Sequence, residues 1–180
     1  MKIIIISLSL VVLIIFVIDS IRNGITPMPT SKKVKNVLLQ EVKQQQRYGE
    51  IVELGAGWGT LAFPLAADHP KNHVIAVERA LFPRLFMQVR KLFTKEKRVQ
   101  IKNQSIYDVN VENANLIVCY LYPKAMERLQ EQFKKQIKDE KMIISHTFAI
   151  PNWHPVKVIT VPDMYRTKIY IYQIRNGKEV

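Results

Sequence analysis

The chain has 180 residues, with 27 Lys+Arg against 15 Asp+Glu and a formal net charge of +12. That length fits one compact domain, and a hydrophobic content of 48% excludes a disordered polyelectrolyte. One cysteine, Cys119, rules out an internal disulfide and zinc sites built from several thiolates, while His69, His73, His146 and His154 lack HExxH-type spacing, so no metal site is expected.

Residues 3–18 (IIIISLSLVVLIIFVI) are apolar except for Ser7 and Ser9. As a helix they would reach about 24 Å, slightly less than the ~30 Å hydrocarbon core of a bilayer. The stretch reads as one N-terminal transmembrane helix, with the anchor at 1–21. A cleaved signal peptide is the rival reading, but the following DSIRN offers no pair of small residues for cleavage. A core helix is the third reading, and a helix apolar on every face at a terminus fits it poorly. Arg22, Lys32, Lys33 and Lys35 follow the run and only Lys2 precedes it, which places the rest of the chain on the cytoplasmic side of a single-pass membrane protein.

Residues 22–31 form a linker whose two prolines, Pro27 and Pro29, bias their predecessors toward extended backbone. The domain then runs over 32–180. Val34, Val37, Leu38 and Val42 recur at helical spacing behind Ser31 as N-cap, predicting a helix that ends near 48–49. Strands are expected at 50–54, 73–78, 99–103, 115–121 and 141–146. Helices are expected at 61–68, 81–93 and 124–137, and extended stretches at 156–161 and 168–174. Strand–helix alternation predicts an α/β domain with a mainly parallel sheet, and the two closing strands predict an antiparallel C-terminal hairpin.

The chemistry concentrates at 51–60, IVELGAGWGT. Gly55, Gly57 and Gly59 follow a strand directly, so backbone can approach a ligand where no Cβ intervenes. The last two glycines are two residues apart, whereas the dinucleotide fingerprint separates them by three. With Glu53 two residues before the first glycine, the segment resembles motif I of the class I S-adenosylmethionine-dependent methyltransferases. That resemblance implies a Rossmann-like fold and S-adenosylmethionine as cofactor. Its amino acid part would sit on Glu53, Gly55, Ala56, Gly57 and Gly59. Glu78 closes the second strand 21 residues after Gly57, and a carboxylate can accept from both hydroxyls of a ribose. After the third strand the family pattern falls on Ser105 and Ile106, at the adenine. Two positions depart from the pattern: Ser105 replaces an acid, and Trp58 stands where relatives carry a small acidic residue.

Cys119 on the fourth strand reads as a packed thiol, and His146 as a hydrogen-bonded histidine. Tyr120, Pro123 and Trp153 are candidates for the acceptor side. Methyl transfer from a sulfonium depends chiefly on alignment, so no catalytic residue is assigned.

Taken in order, the apolar N-terminus, TPMPT, ELGAGWG, YLYP and FAIPNW resemble the small membrane-anchored protein-lysine methyltransferases that act on the ATP synthase c-subunit and the adenine nucleotide translocase. The resemblance implies methyl transfer to lysine of a membrane-associated protein. Lipid or RNA acceptors, and a non-catalytic domain that only binds the cofactor, are the alternatives. The basic runs at 32–47 and 84–102 suit an anionic lipid surface, or simply solvated helix faces; nucleic acid is disfavoured, because a bilayer tether limits access to it.

Overall fold

The computed structural model describes residues 28–45 and 47–176, the backbone of 178–179, and residues 1, 4–7, 9–11, 13, 14 and 17 of the N-terminal stretch. Among the described residues no helix is long and apolar enough to cross a membrane. The structure therefore does not show the transmembrane helix expected over 3–18. Residues 3, 8, 12, 15, 16 and 18 of that stretch, and 19–27 of the expected anchor end and linker, lie outside the described residues. Those described in between are helical and exposed.

The first helix, α1 (Lys32–Gln44), starts where expected: the Ser31 side chain accepts the Val34 N–H and so satisfies one of the donors left over at a helix start. It stops a full turn before the predicted end. Gly49 opens β1 (Gly49–Leu54) at a φ of +112°. Then come α2 (Ala62–Asp68), β2 (Asn72–Val77), α3 (Leu81–Phe93), β3 (Val99–Lys102), β4 (Ala114–Cys119), α4 (Pro123–Gln136), β5 (Lys141–His146), β6 (Lys157–Thr160), β7 (Lys168–Arg175) and β8 (Lys178–Glu179).

The sheet order is β3-β2-β1-β4-β5-β7-β6, with β8 paired to β7. Strands β1 to β5 pair in parallel, and β7 runs antiparallel between β5 and β6. The mainly parallel sheet with an antiparallel C-terminal hairpin is thus observed, with the hairpin's second strand inserted inside its first. Side chains alternate along each strand. Ile51, Leu116 and Ile144 join Leu38, Leu65 and Met87 in one core layer, whereas Val52, Ile117 and Ile143 join Leu129 and Phe133 in the other. Helices α1, α2 and α3 therefore cover one face and α4 the other. A buried carboxylate ties α1 to the hairpin: Glu41 Oε2 lies 2.7 Å from Lys157 Nζ. Just before β5, Glu140 accepts from Arg47, Gln173 and Arg175, and these bonds pull its pKa down to about 2.

Strand order reverses between β1 and β4, because β1 leads on to β2 and β3 on one side while β4 leads to β5 on the other. Connections leaving the strand ends diverge at this point and open a crevice, the usual place for a ligand in an open parallel sheet.

Candidate active site

The crevice is a cavity of about 640 Å³ at the ends of β1, β2, β3 and β4. Glu53, Gly55, Ala56 and Gly57 form its floor; Glu78, Ser105 and Ile106 line one side, Tyr120 another. The chain segments that supply them are up to 67 residues apart in sequence, and the parallel sheet brings them together.

Glu53 takes its position from strand alternation, pointing to the side of α2, where its carboxylate accepts the Ala62 backbone N–H. Its Oε2 is buried without a partner among the described residues. Burial raises its pKa well above the ordinary carboxylate range, a rise that the Ala62 hydrogen bond opposes and the nearby Glu78 adds to. An orphaned buried carboxyl facing a cavity suits a cationic group, which would replace the lost hydration.

Glu78 performs a structural task that the sequence did not disclose. Its Oε2 accepts the Gly57 N–H at 2.8 Å and its Oε1 accepts the Ala80 N–H at 2.7 Å, so one carboxylate pins the glycine loop to the start of α3. A carboxylate has about four acceptor positions, so both oxygens retain capacity for a diol. Gly57 sits at a φ of +52°, with its backbone on the cavity floor.

Gly59 differs from its neighbours and does not line the cavity. At a φ of +69°, a Cβ there would lie 2.8 Å from the Phe63 ring and 3.0 Å from Met87, so its bareness lets the loop close against α2 and α3. Gly59, expected at the cofactor, has this packing role in the structure, and Arg90 caps its carbonyl at 3.1 Å.

Ser105 Oγ accepts the Tyr107 N–H at 3.3 Å in a local turn, and Ile106 packs on the α4 core layer. Next to them, Tyr107 hydrogen-bonds Tyr122 and lies under Arg128, whose guanidinium carbon is 3.9 Å from the ring centroid. Burial and the Tyr122 bond push the Tyr107 hydroxyl up to about 12.

On the acceptor side the expectations divide. Tyr120 lines the cavity and stacks on His146 at 4.1 Å between centroids. Pro123 instead begins α4, where its missing N–H costs nothing. Trp153 lies in the core rather than beside the cavity: it is only 8% exposed and packs between Phe133 and Tyr172. The cause is the loop after β5. It bends at Thr147 and Asn152, both at positive φ, and the Tyr172 hydroxyl holds the Ile150 N–H at 2.9 Å. That course turns Trp153 inward and leaves Phe148 on the cavity wall. Cys119 is packed as expected, its thiol pushed up to about 12 by burial.

Sequence reading missed the contribution of the segment before α1. Met28 and Thr30 line the cavity, Thr30 Oγ1 shares a 3.2 Å hydrogen bond with His146 Nε2, and the Thr30 N–H donates to Thr60 Oγ1. A proline-containing stretch without periodicity gives no signal of such a contact.

A 3-2-1-4-5-7-6 sheet with a glycine loop after β1 and acids at the ends of β1 and β2 defines a class I methyltransferase. The chain belongs to the ANTKMT methyltransferase domain family, which it matches over residues 53–157. It is 27% identical over 157 residues to a protein-lysine N-methyltransferase of Saccharolobus islandicus (strain REY15A), covering 84% of this chain and 94% of that one. Among solved structures it resembles an RNA methyltransferase from Salinibacter ruber in complex with S-adenosyl-L-homocysteine (TM-score 0.72, 19% identity, 82% of this chain and 94% of the other). A second is the magnesium protoporphyrin IX methyltransferase of Synechocystis PCC 6803 with bound cofactor (TM-score 0.61, 12% identity, 78% and 77%). At such identities these two show the shared fold. The chain is a methyltransferase that uses S-adenosylmethionine.

Proposed function

We propose that this enzyme methylates the side-chain amine of lysine in a membrane-associated protein. Family membership and the likeness to a lysine methyltransferase support the lysine. Residues 3–18, with Arg22, Lys32, Lys33 and Lys35 behind them, support a position at the cytoplasmic face of a membrane.

The residues present fit the cofactor. Glu53, with its unpartnered Oε2, would take the ammonium group, the backbone of Gly55, Ala56 and Gly57 the amino acid portion, and Glu78 the ribose hydroxyls. Ile106 would face the adenine, with Ser105 as polar partner. S-adenosylmethionine supplies a methyl group on a sulfonium, open to in-line attack by an amine. Around the neighbouring wall Tyr120, Tyr122, Phe148 and Trp58 offer aromatic surface that can hold an alkylammonium stem. Burial there lowers the pKa of a lysine amine and so releases the proton that blocks attack. His146 is neutral at pH 7, because burial holds its pKa down at about 4, and its ring nitrogens are engaged by Thr30 and Thr147. It serves here as the support on which Tyr120 stacks.

The test is mass spectrometry of membrane proteins from the host with and without the enzyme. A lysine peptide that gains methyl mass only when the enzyme is present supports the reading. Identical lysine methylation in both would remove it.

A further inference from the structure

Helix α3 is rich in apolar side chains, yet only Pro83 and Met87 are buried. Its opposite side presents Leu85, Phe86, Val89, Leu92 and Phe93 to solvent, with Leu92 74% and Phe93 85% exposed. The spacing i, i+1, i+4, i+7, i+8 makes these five one continuous stripe, unlike singly scattered surface residues. Between residues 79 and 102 there are eight basic residues against one acid, Glu96, and that acid is paired with Arg98 at 2.8 Å. Arg79, Lys95 and Lys97 are exposed at the two ends of the stripe.

We propose that α3 is a membrane-interfacial helix. Its apolar stripe lies at the headgroup–acyl boundary of a bilayer, and the flanking lysines and arginines meet anionic headgroups. An exposed apolar stripe with basic flanks is the composition that holds a helix in the plane of such a surface. Charge argues against the other occupants. A second copy brings a further +12 and the same basic flanks to the contact. The segment 3–18 offers no charge to meet the lysines, and its described residues, such as Ile4, Ile6 and Leu13, are themselves exposed.

The stripe is continuous with the active site. Trp58 lines the cavity and packs edge-on against Phe86, with ring centroids 5.5 Å apart. Seating α3 on the bilayer thus brings the cavity close to the headgroups, where lysines of a membrane protein's surface loops lie.

The proposal rests on the membrane association argued above, and one experiment separates the two. The full chain carries an environment-sensitive fluorophore on Phe93→Cys or, as control, on Lys135→Cys at the exposed side of α4. Cys119 is fully buried and stays unlabelled. Vesicles of phosphatidylcholine, with or without phosphatidylglycerol, are added; sedimentation and emission are read together. The expected result is sedimentation, with a blue-shifted, brighter probe at position 93 on phosphatidylglycerol vesicles and an unchanged probe at 135. Lys95→Gln and Lys97→Gln should each weaken the shielding equilibrium about fivefold. Sedimentation with an unshielded probe at 93 would overturn the α3 proposal and leave the anchor standing. No sedimentation would overturn both. A probe at 93 already shielded before vesicles are added would assign the stripe to a second copy or to the chain's own N-terminal segment.

Discussion

Glu53 and Glu78 do different work with the same functional group. Glu53 is buried and raised in pKa, so the ligand-free enzyme holds it protonated at a pH where an exposed carboxyl is ionised. A bound ammonium group favours the ionised form, so binding expels the proton and affinity increases with pH. Titration of S-adenosylmethionine at increasing pH should show that rise, and Glu53→Gln should flatten it. An equal slope in both proteins would contradict the role given to Glu53. For Glu78, replacement by Gln removes charge-assisted bonds worth about 2 kcal/mol, and cofactor affinity should drop roughly thirtyfold by calorimetry. Unchanged affinity would mean that its hold on Gly57 and Ala80 is its whole function. At this scale the sequence was informative where a residue type is demanded by chemistry within a fixed local frame: strand, glycine turn, strand-end acid. It did not disclose the packing of Trp153, whose surroundings come from α4 and β7.

At the level of elements, the joints between secondary structures decide whether the site is held in shape. Gly59 is the joint between the glycine loop and α3. Gly59→Ala adds a left-handed backbone penalty to a clash with Phe63 and Met87, for a loss of about 2 to 4 kcal/mol. A lowered midpoint in thermal unfolding checks this, and an unshifted midpoint would show that the loop can open without cost. The second joint lies between β5 and the segment before α1, through His146 and Thr30. The imidazole titrates from 6.5 in the unfolded chain to about 4 when folded, because burial disfavours its charged form. Between those values the unfolded state binds the proton and the folded state does not. Stability is therefore full above 6.5, then decreases as pH falls toward 4, by up to about 3 kcal/mol. Urea unfolding across that window should show the decline, and His146→Gln should abolish it; a decline of the same size in the variant would place its origin elsewhere. Helix α3 shows why element identity was easier to read than its environment. A 3.6-residue apolar period specifies an amphipathic helix, but the same period results whether one side meets a sheet or a bilayer. The segment before α1 had no period at all, and its place at the cavity depends on Thr30 finding His146 some 116 residues later.

For the whole molecule, the strand order places the crevice, and the charge distribution is the basis of the proposed membrane contact. Strand–helix alternation was sufficient to anticipate a parallel sheet with a closing hairpin, since each strand is short and bounded by clear breaks. The insertion of β7 between β5 and β6 was not, because pairing order depends on which edges meet in three dimensions. The net charge of +12, the basic flanks of α3 and the apolar N-terminal run all suit an enzyme working at an anionic surface. The most direct test of the account incubates purified enzyme and methyl-labelled S-adenosylmethionine with host membranes that lack the enzyme, then separates protein, lipid and RNA before counting. Gly57→Arg, which places a bulky side chain on the cavity floor, serves as the inactive control. The account predicts label in protein, recovered as methyllysine after hydrolysis, and none with the variant. Label confined to lipid or RNA, or equal label with Gly57→Arg, would contradict it.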